Sequence, residues 1–434
     1  MNATFLKRRK NLSQAIGEGV IILKNAPERV RSNDTLYRYR HDSNFFYLTG
    51  FSEPESIAII VGGDHHKSVL FCRDKIEEKE IWDGVRMGPE MAKDKFLFDE
   101  TYSVLEFENL LPKFIKNKRV FYDLGYSKTW DETIFNAIGS LNSSSRRQNI
   151  IPPSINDIKP IIHEMRLIKD ENELNIMRKA ARISSSAHTR LMQTVQSGMW
   201  EFQLEAQLLY DFHMNGSVGP AYTSVVASGK NACTLHYINN DIQLKKGDLV
   251  LVDAGCEFLG YASDITRTFP VGNKFSTPQR DIYQLVLDAQ LKAIKAVKPG
   301  GLYSDPHNVA IEVLSKGFVD LGLLKGPWDK VIEKQEYLQF YMHGTGHWLG
   351  MDVHDVGNYK SGEKWKKFKK GMVLTIEPGC YIRPNSKVPK CFWNLGVRIE
   401  DNVVIQEKKI EVITKKTPKK IDEIEELRKL ANDI

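Results

Sequence analysis

One segment of this chain occurs twice, and duplication limits the possible folds more sharply than any local propensity. Lys245-Lys246-Gly247-Asp248-Leu249-Val250-Leu251-Val252-Asp253-Ala254-Gly255-Cys256 aligns with Lys369-Lys370-Gly371-Met372-Val373-Leu374-Thr375-Ile376-Glu377-Pro378-Gly379-Cys380, with both lysines, both glycines and the cysteine identical. Each copy reads as a strand that ends in a carboxylate, Asp253 or Glu377, two residues before a glycine. The following strand repeats too: Gly260 is followed four residues later by Asp264, and Gly396 four residues later by Glu400. Upstream, each half carries two helical patterns broken at glycine, at Val195-x-x-Gly198 and at Val297-x-x-Gly300. The plan is helix, helix, β-hairpin, twice. Such halves are expected to pack their hairpins into one sheet with helices on its outer face.

A hairpin with Phe258-Leu259 as its two-residue loop places Asp253 opposite Asp264, although Phe-Leu is poor turn chemistry. Facing carboxylates repel, and burial raises the cost. One such pair alone reads more readily as a solvated hairpin end. Glu377 and Glu400 occupy the equivalent places in the second copy, so the repeat brings four acids together. A bound cation turns that repulsion into attraction. Arg398 lies two residues before Glu400 on the same strand face, which by itself reads as an ordinary ion pair.

Histidines supply the rest. His343, His347 and His354 fall within twelve residues, interleaved with Gly344, Gly346 and Gly350. The His343/His347 spacing is not the H-E-x-x-H of a zinc-protease helix, and the two glycines between them argue against a helix. His236 has only its neighbourhood, Thr234-Leu235-His236-Tyr237, in its favour. Four carboxylates with imidazole make a hard, oxygen-rich site suited to two divalent ions, manganese before zinc or cobalt.

With 434 residues the chain exceeds one core, so two domains are expected. The first ~160 residues mix β-rich runs (Phe45-Phe46-Tyr47-Leu48, Ser56 to Val61, Lys67 to Cys72) with helical patterns, which predicts an α/β domain. Pro152-Pro153 approaches the boundary, and a long amphipathic helix begins at Asp170. The domains are placed at 1–165 and 166–434. Ile421, Ile424, Leu427 and Leu430 predict a terminal helix packed on the body. The run Lys364-Trp365-Lys366-Lys367-Phe368-Lys369-Lys370 reads as solvated surface.

The net charge of +6, spread over both signs, does not argue for nucleic acid, and no motif for it is present. No apolar run reaches the ~20 residues of a membrane helix. Cys72, Cys233, Cys256, Cys380 and Cys391 are scattered and odd in number, reading as reduced core thiols of a cytoplasmic protein.

At these motifs the sequence resembles the pita-bread-fold metallopeptidases, a family that includes methionine aminopeptidase, prolidase and aminopeptidase P. The carriers are Val252-Asp253-Ala254-Gly255, Ser263-Asp264-Ile265-Thr266-Arg267-Thr268, His343 to Gly350, Thr375-Ile376-Glu377-Pro378-Gly379 and Val397-Arg398-Ile399-Glu400-Asp401. Tyr39-Arg40-His41-Asp42-Ser43-Asn44-Phe45-Phe46-Tyr47-Leu48-Thr49-Gly50-Phe51 is similar to the N-terminal domain of bacterial-type aminopeptidase P. The resemblance implies an α/β N-terminal domain and an α+β pita-bread catalytic domain with an internal two-fold repeat. It implies a dinuclear-metal aminopeptidase that releases the first residue of peptides with proline in second place.

The roles it implies follow residue by residue. Asp253 would chelate one metal, His347 and Glu377 the other, and Asp264 and Glu400 would bridge both. Glu377 would also move the proton from water to the leaving proline nitrogen. His354 and His236 would hydrogen-bond the substrate carbonyl oxygen. His343, Tyr381 and Arg398 would line the proline pocket, with Arg398 also counted among the catalytic groups and Tyr222 among those that bind substrate. Trp82, in Glu80-Ile81-Trp82-Asp83-Gly84, would reach a neighbouring subunit's pocket in a homodimer or homotetramer. Thr345-Gly346 departs from the family's usual small residues and is not expected to affect the chemistry. Prolidase, which acts on dipeptides, is the rival reading, and a non-catalytic peptide-binding module is the remaining one.

Overall fold

The computed structural model describes residues 2–63, 66–148 and 153–430, so Pro152 of the predicted boundary lies outside the described residues. The chain divides into two units, Met1–Arg166 and Leu167–Ile434.

The first unit is built on six strands: β1 (Gly19–Lys24), β2 (Ile57–Val61), β3 (Lys67–Cys72), β4 (Glu100–Ser103), β5 (Arg119–Tyr122) and β6 (Ile155–Asp157). Their order in the sheet is β4-β3-β2-β1-β5-β6. β2 and β3 pair antiparallel as the expected meander, whereas β1 pairs parallel with β5. β1 and β2 read as unbroken apolar runs because nearly every residue on both their faces is buried. The helices Phe107–Ile115 and Lys128–Gln148 supply Leu111, Ile115, Trp130 and Ile134 to the same core as Val20, Ile22 and Ile59.

The run Phe45 to Leu48 is not a strand. It lies in a helix, Ser43–Thr49, because both ends carry stop signals stronger than its β propensity. The Asp42 side chain accepts the Phe45 N–H at 2.8 Å. Gly50, at φ +66°, closes the helix by donating to the Phe46 carbonyl at 2.8 Å.

In the second unit the repeat is explicit. Helices α1 (Glu171–Thr194) and α2 (Glu201–Met214) precede one hairpin; α3 (Thr277–Ala296) and α4 (Asp305–Asp320) precede the other. α1 opens with a capping box in which Asp170 and Glu173 each accept the other's backbone N–H. The first hairpin runs from β7 (Leu249–Asp253) to β8 (Thr266–Pro270), the second from β9 (Val373–Ile376) to β10 (Asp401–Ile405). The core beneath them takes Ala187, Leu191, Leu208, Val286 and Leu314 from the four helices and Val250 and Val252 from β7.

The first hairpin turns one residue later than predicted. Phe258 pairs with Tyr261, so the loop is Leu259-Gly260, both with positive φ (49° and 78°). Glycine takes that conformation freely, and the mirror-image turn matches strand twist. The shift places Asp253 opposite Thr266 rather than Asp264. In the second hairpin Ile376 faces Asp401 and Gly379 faces Arg398, a register that sets Glu377 directly opposite Glu400.

The two hairpins join through contacts rather than one unbroken ladder. Glu400 N–H donates to the Thr266 carbonyl at 3.1 Å, and Thr268 Oγ1 donates to the Arg398 carbonyl at 3.0 Å. Arg267 and Asp401, both fully buried, pair across the junction at 2.8 Å. Among the described residues no helix is long and apolar enough to cross a membrane. Cys72, Cys233, Cys256 and Cys380 are buried free thiols, but Cys391 is exposed, so it is no core thiol. In the terminal helix Ile421–Leu430, Ile421 and Ile424 join the core. The basic run is exposed at Lys364, Lys367, Lys369 and Lys370, while Phe368 turns inward.

Candidate metal centre and substrate cavity

Where the hairpins meet, Asp253, Asp264, His347, Glu377 and Glu400 line one cavity of about 400 Å³. Ligand atoms of Asp264, His347 and Glu400 lie within 4.8 Å of one another. His347 Nε2 stands 3.4 Å from Asp264 Oδ2 and 3.4 Å from Glu377 Oε1.

Each of these side chains is held from behind. The Asn402 amide accepts the Asp264 N–H at 3.1 Å and donates to the Asp264 carbonyl at 2.5 Å, so it clamps that residue's backbone on both sides. Thr266 Oγ1 donates to Glu400 Oε2 at 2.8 Å. Glu400 Oε1 is buried and has no partner among the described residues. Thr375 Oγ1 donates to Glu377 Oε1 at 3.1 Å, and Glu377 N–H donates to the Thr345 carbonyl at 2.8 Å. The hydroxyl of Tyr222 lies 2.6 Å from Asp253 Oδ1 and also reaches Asp264 Oδ1. Arg398 donates to Asp253 Oδ2 at 2.6 Å.

His347 Nδ1 lies 3.0 Å from the Trp348 carbonyl. A carbonyl only accepts, so Nδ1 carries the hydrogen and Nε2 is directed at the acids. That is the tautomer a metal-ligating histidine needs. The donor set fits two divalent cations on three further grounds: buried oxygens, one unpartnered carboxylate oxygen, and more negative than positive charge.

The electrostatics carry the same message. Burial pushes the Glu400 carboxyl well above its ordinary range, and the charges of Asp264, Glu377 and Asp253 add to that. Glu377 is pushed up to about 7, by burial first, with Asp264 adding to it against the pull of His347. Burial also raises Asp264. Asp253 is the exception: burial pushes it up, but Arg398 beside it and the Tyr222 hydroxyl bring it below the usual carboxylate range. Burial works against charge on His347, yet the Asp264 hydrogen bond and Glu377 raise it to about 9. A cation would remove the strain that these shifts record.

The predicted substrate residues divide into three groups. His236, His343, His354 and Tyr222 line the cavity with Arg398. The His354 ring stands edge-on to that of His347, centroids 4.4 Å apart. Tyr381 works through its neighbours: Arg398 donates to its hydroxyl at 3.0 Å, and the hydroxyl lies 2.8 Å from His343 Nε2. His343 Nδ1 lies 2.8 Å from the Gly344 carbonyl, so Nδ1 holds the hydrogen and Nε2 accepts from Tyr381. Burial and Arg398 lower His343 to about 4, which keeps it neutral. Trp82 is outside this group; it is 86% exposed on the helix Glu77–Asp83.

Sequence reasoning missed Asn402, Thr266 and Thr375 as supports of the ligands. Thr266 and Thr375 stand inside the quoted motifs, and Asn402 follows the last of them directly, which was the available signal. Thr345-Gly346 does more than fill space. Thr345 holds Glu377 by its carbonyl, and a Cβ on Gly346 would lie 1.9 Å from the Thr375 carbonyl oxygen.

The model of metallopeptidase family M24 matches residues 175–407, and that of the aminopeptidase P N-terminal domain matches residues 5–122. The Xaa-Pro aminopeptidase of Haemophilus influenzae is 42% identical over 97% of this chain and 96% of its own length. The structure of Pseudomonas aeruginosa aminopeptidase PepP superposes with a TM-score of 0.98 at 42% identity, covering 100% of this chain and 99% of that one. A zinc-substituted Escherichia coli aminopeptidase P in complex with product matches with a TM-score of 0.97 at 39% identity, over 99% of both chains. Matched by these family models and by relatives along its whole length, the chain belongs to metallopeptidase family M24, with the aminopeptidase P N-terminal domain before it.

Proposed function

We infer that this protein is an Xaa-Pro aminopeptidase that releases the first residue of peptides with proline in second place. The observation that carries the reading is the cluster of Asp253, Asp264, His347, Glu377 and Glu400 in one cavity, together with similarity to Xaa-Pro aminopeptidases over the whole chain. Two divalent ions, manganese by donor chemistry with zinc or cobalt as substitutes, would be held by these five residues and would polarise the scissile carbonyl and acidify the attacking water.

The chain's own residues then do the following. Glu377 stands in the cavity wall, where it would accept the proton of the attacking water and hand it to the leaving proline nitrogen. His354 and His236 stand in the cavity wall to hydrogen-bond the carbonyl oxygen as charge develops. Arg398, tied to Asp253 and Tyr381, fixes the side of the cavity where neutral His343 offers a flat ring surface for proline. Tyr222 spaces Asp253 and Asp264. The domain boundary is placed at residues 165–166. Trp82, with its exposed neighbours Ile81 and Val85, would complete the pocket of an adjacent subunit in a homodimer or homotetramer. The working compartment is the cytoplasm.

The deciding experiment compares a tripeptide Xaa-Pro-Xaa with a dipeptide Xaa-Pro, and with the N-acetylated tripeptide, using manganese-loaded protein. Cleavage of the free tripeptide at the Xaa-Pro bond is expected, with the acetylated one resistant. Turnover of the dipeptide alone would make the protein a prolidase, and no turnover of any would make it a binding module.

A further inference from the structure

Glu201 opens α2 and is 0% exposed. A buried carboxylate without compensation costs several kcal/mol, and among the described residues this one has no lysine or arginine partner. It is instead satisfied by hydrogen bonds. Oε1 accepts the Ser228 N–H at 2.7 Å, the Ser228 hydroxyl at 2.8 Å and the Asn231 amide at 3.4 Å. Oε2 accepts the Ile242 N–H at 3.0 Å and lies 2.8 Å from the Tyr237 hydroxyl. The Glu201 N–H also donates to the Ile242 carbonyl at 3.0 Å.

All of these donors come from one stretch, Ser228 to Ile242. That stretch has almost no regular structure of its own beyond the turn Gly229–Cys233. Asn240 bends it at φ +51° and secures it, donating to the Ser224 carbonyl at 2.9 Å. The stretch presents Leu235, His236 and Ile238 to the cavity. A loop without ladder bonds is held in place by the side chains it folds around. Here the Glu201 carboxylate takes the largest share of those bonds, one residue from His236 at Tyr237, while Glu205 accepts from Asn240 at 2.9 Å and Arg383 donates to the Cys233 carbonyl at 3.0 Å.

We propose that Glu201 is a positioning residue for the reaction: it folds the Ser228–Ile242 loop around its carboxylate and thereby aims His236 at the substrate. The inference rests on the Xaa-Pro aminopeptidase reading for His236's partner, while the loop's dependence on Glu201 stands on geometry alone. Glu201→Gln keeps the shape and one acceptor oxygen but turns an amide NH₂ toward the Ile242 N–H, which can only donate, so that part of the loop must let go, while the Tyr237 hydroxyl can turn to accept.

The test is a double-mutant cycle of Glu201→Gln and His236→Ala in the full-length, manganese-loaded protein, with an Xaa-Pro-Xaa tripeptide. Hydrogen exchange by mass spectrometry is run on the same proteins. Glu201→Gln should lower kcat by roughly 10- to 100-fold with KM moved far less, the scale of a misplaced group. In the His236→Ala background the same change should cost less than about 3-fold, because the group it positions is gone. Exchange should quicken in peptides from 228–242 and not in α3 or α4. Tyr237→Phe removes one donor, leaves the carboxylate in place, and should shift the same peptides less; it keeps the test open should Glu201→Gln fail to fold. Losses that multiply in the double variant, or unchanged exchange in 228–242, would overturn the proposal. A wild-type protein inert toward the tripeptide would instead overturn the functional reading, and exchange alone would then decide the part Glu201 plays in the loop.

Discussion

Chelated protein should lose stability as pH rises from 5 to 8, and divalent metal should cancel the loss. Glu377 has an ordinary value of 4.5 and is pushed up to about 7 by burial and by Asp264. A carboxyl raised in the folded state holds its proton more tightly folded than unfolded. Its contribution is complete below about 4.5 and is lost as pH climbs through 7. His347, raised from 6.5 to about 9, acts in the same direction at higher pH. The two face each other at 3.4 Å, so their shifts share one interaction and are counted once. The rise of Glu377 from 4.5 to about 7 corresponds to about 3 kcal/mol. For a unit of this size that lowers Tm by roughly 6–12 °C. The assay is calorimetry at constant ionic strength on EDTA-treated and manganese-loaded protein across pH 5–8. The gap between loaded and chelated Tm should widen with pH, since bound cations keep the acids ionised at no cost. Chelated Glu377→Gln loses one of three raised carboxyls and should show a shallower profile up to pH 7, the remainder coming from Glu400 and Asp264. A chelated wild type as stable at pH 8 as at pH 5, or a Glu377→Gln variant that keeps the slope, would refute the reasoning.

Glu377→Gln should also cut kcat at least ~10²-fold while still loading metal, checked by steady-state kinetics beside metal analysis. Lys169 and Asp355, both 1% exposed and 2.8 Å apart, brace the segment that carries His354. Lys169→Met deprives a buried carboxylate of its cation and should cost ~3–5 kcal/mol in urea unfolding of the loaded protein. On the proposed homo-oligomer, Trp82→Ala should shift the protein toward monomer in sedimentation velocity and lower turnover together with it, whereas a fully active monomeric wild type at nanomolar concentration would remove Trp82 from the pocket.

The repeat made the catalytic half legible because copying fixes spacing: the four acids, the glycines after them and the helix pairs before them can all be read from aligned positions. What it did not reveal was register. A turn at Phe258-Leu259 and one at Leu259-Gly260 differ by one residue in sequence but by two in facing partners, and only Gly260's positive φ decides between them. Supports were harder to read than ligands. Asn402 and Glu201 act by hydrogen bonds to backbone far away in the chain, and a single sequence carries no periodicity for such contacts. The Phe45–Leu48 run was read by composition, while its caps, Asp42 and Gly50, decided the outcome. Trp82 could be singled out only by resemblance, since nothing in one chain surrounds it.

In the second hairpin Glu377 and Glu400 stand face to face, whereas in the first Asp253 and Asp264 are two positions out of step. The repeat copied the backbone but not the ligand geometry. Two cations held in such a frame would meet unlike surroundings, so metal titrated into chelated protein should fill one position before the other. Turnover that needs both ions then waits on the weaker position. The rate of peptide trimming would then follow free divalent metal, set by one half of an unequal pair.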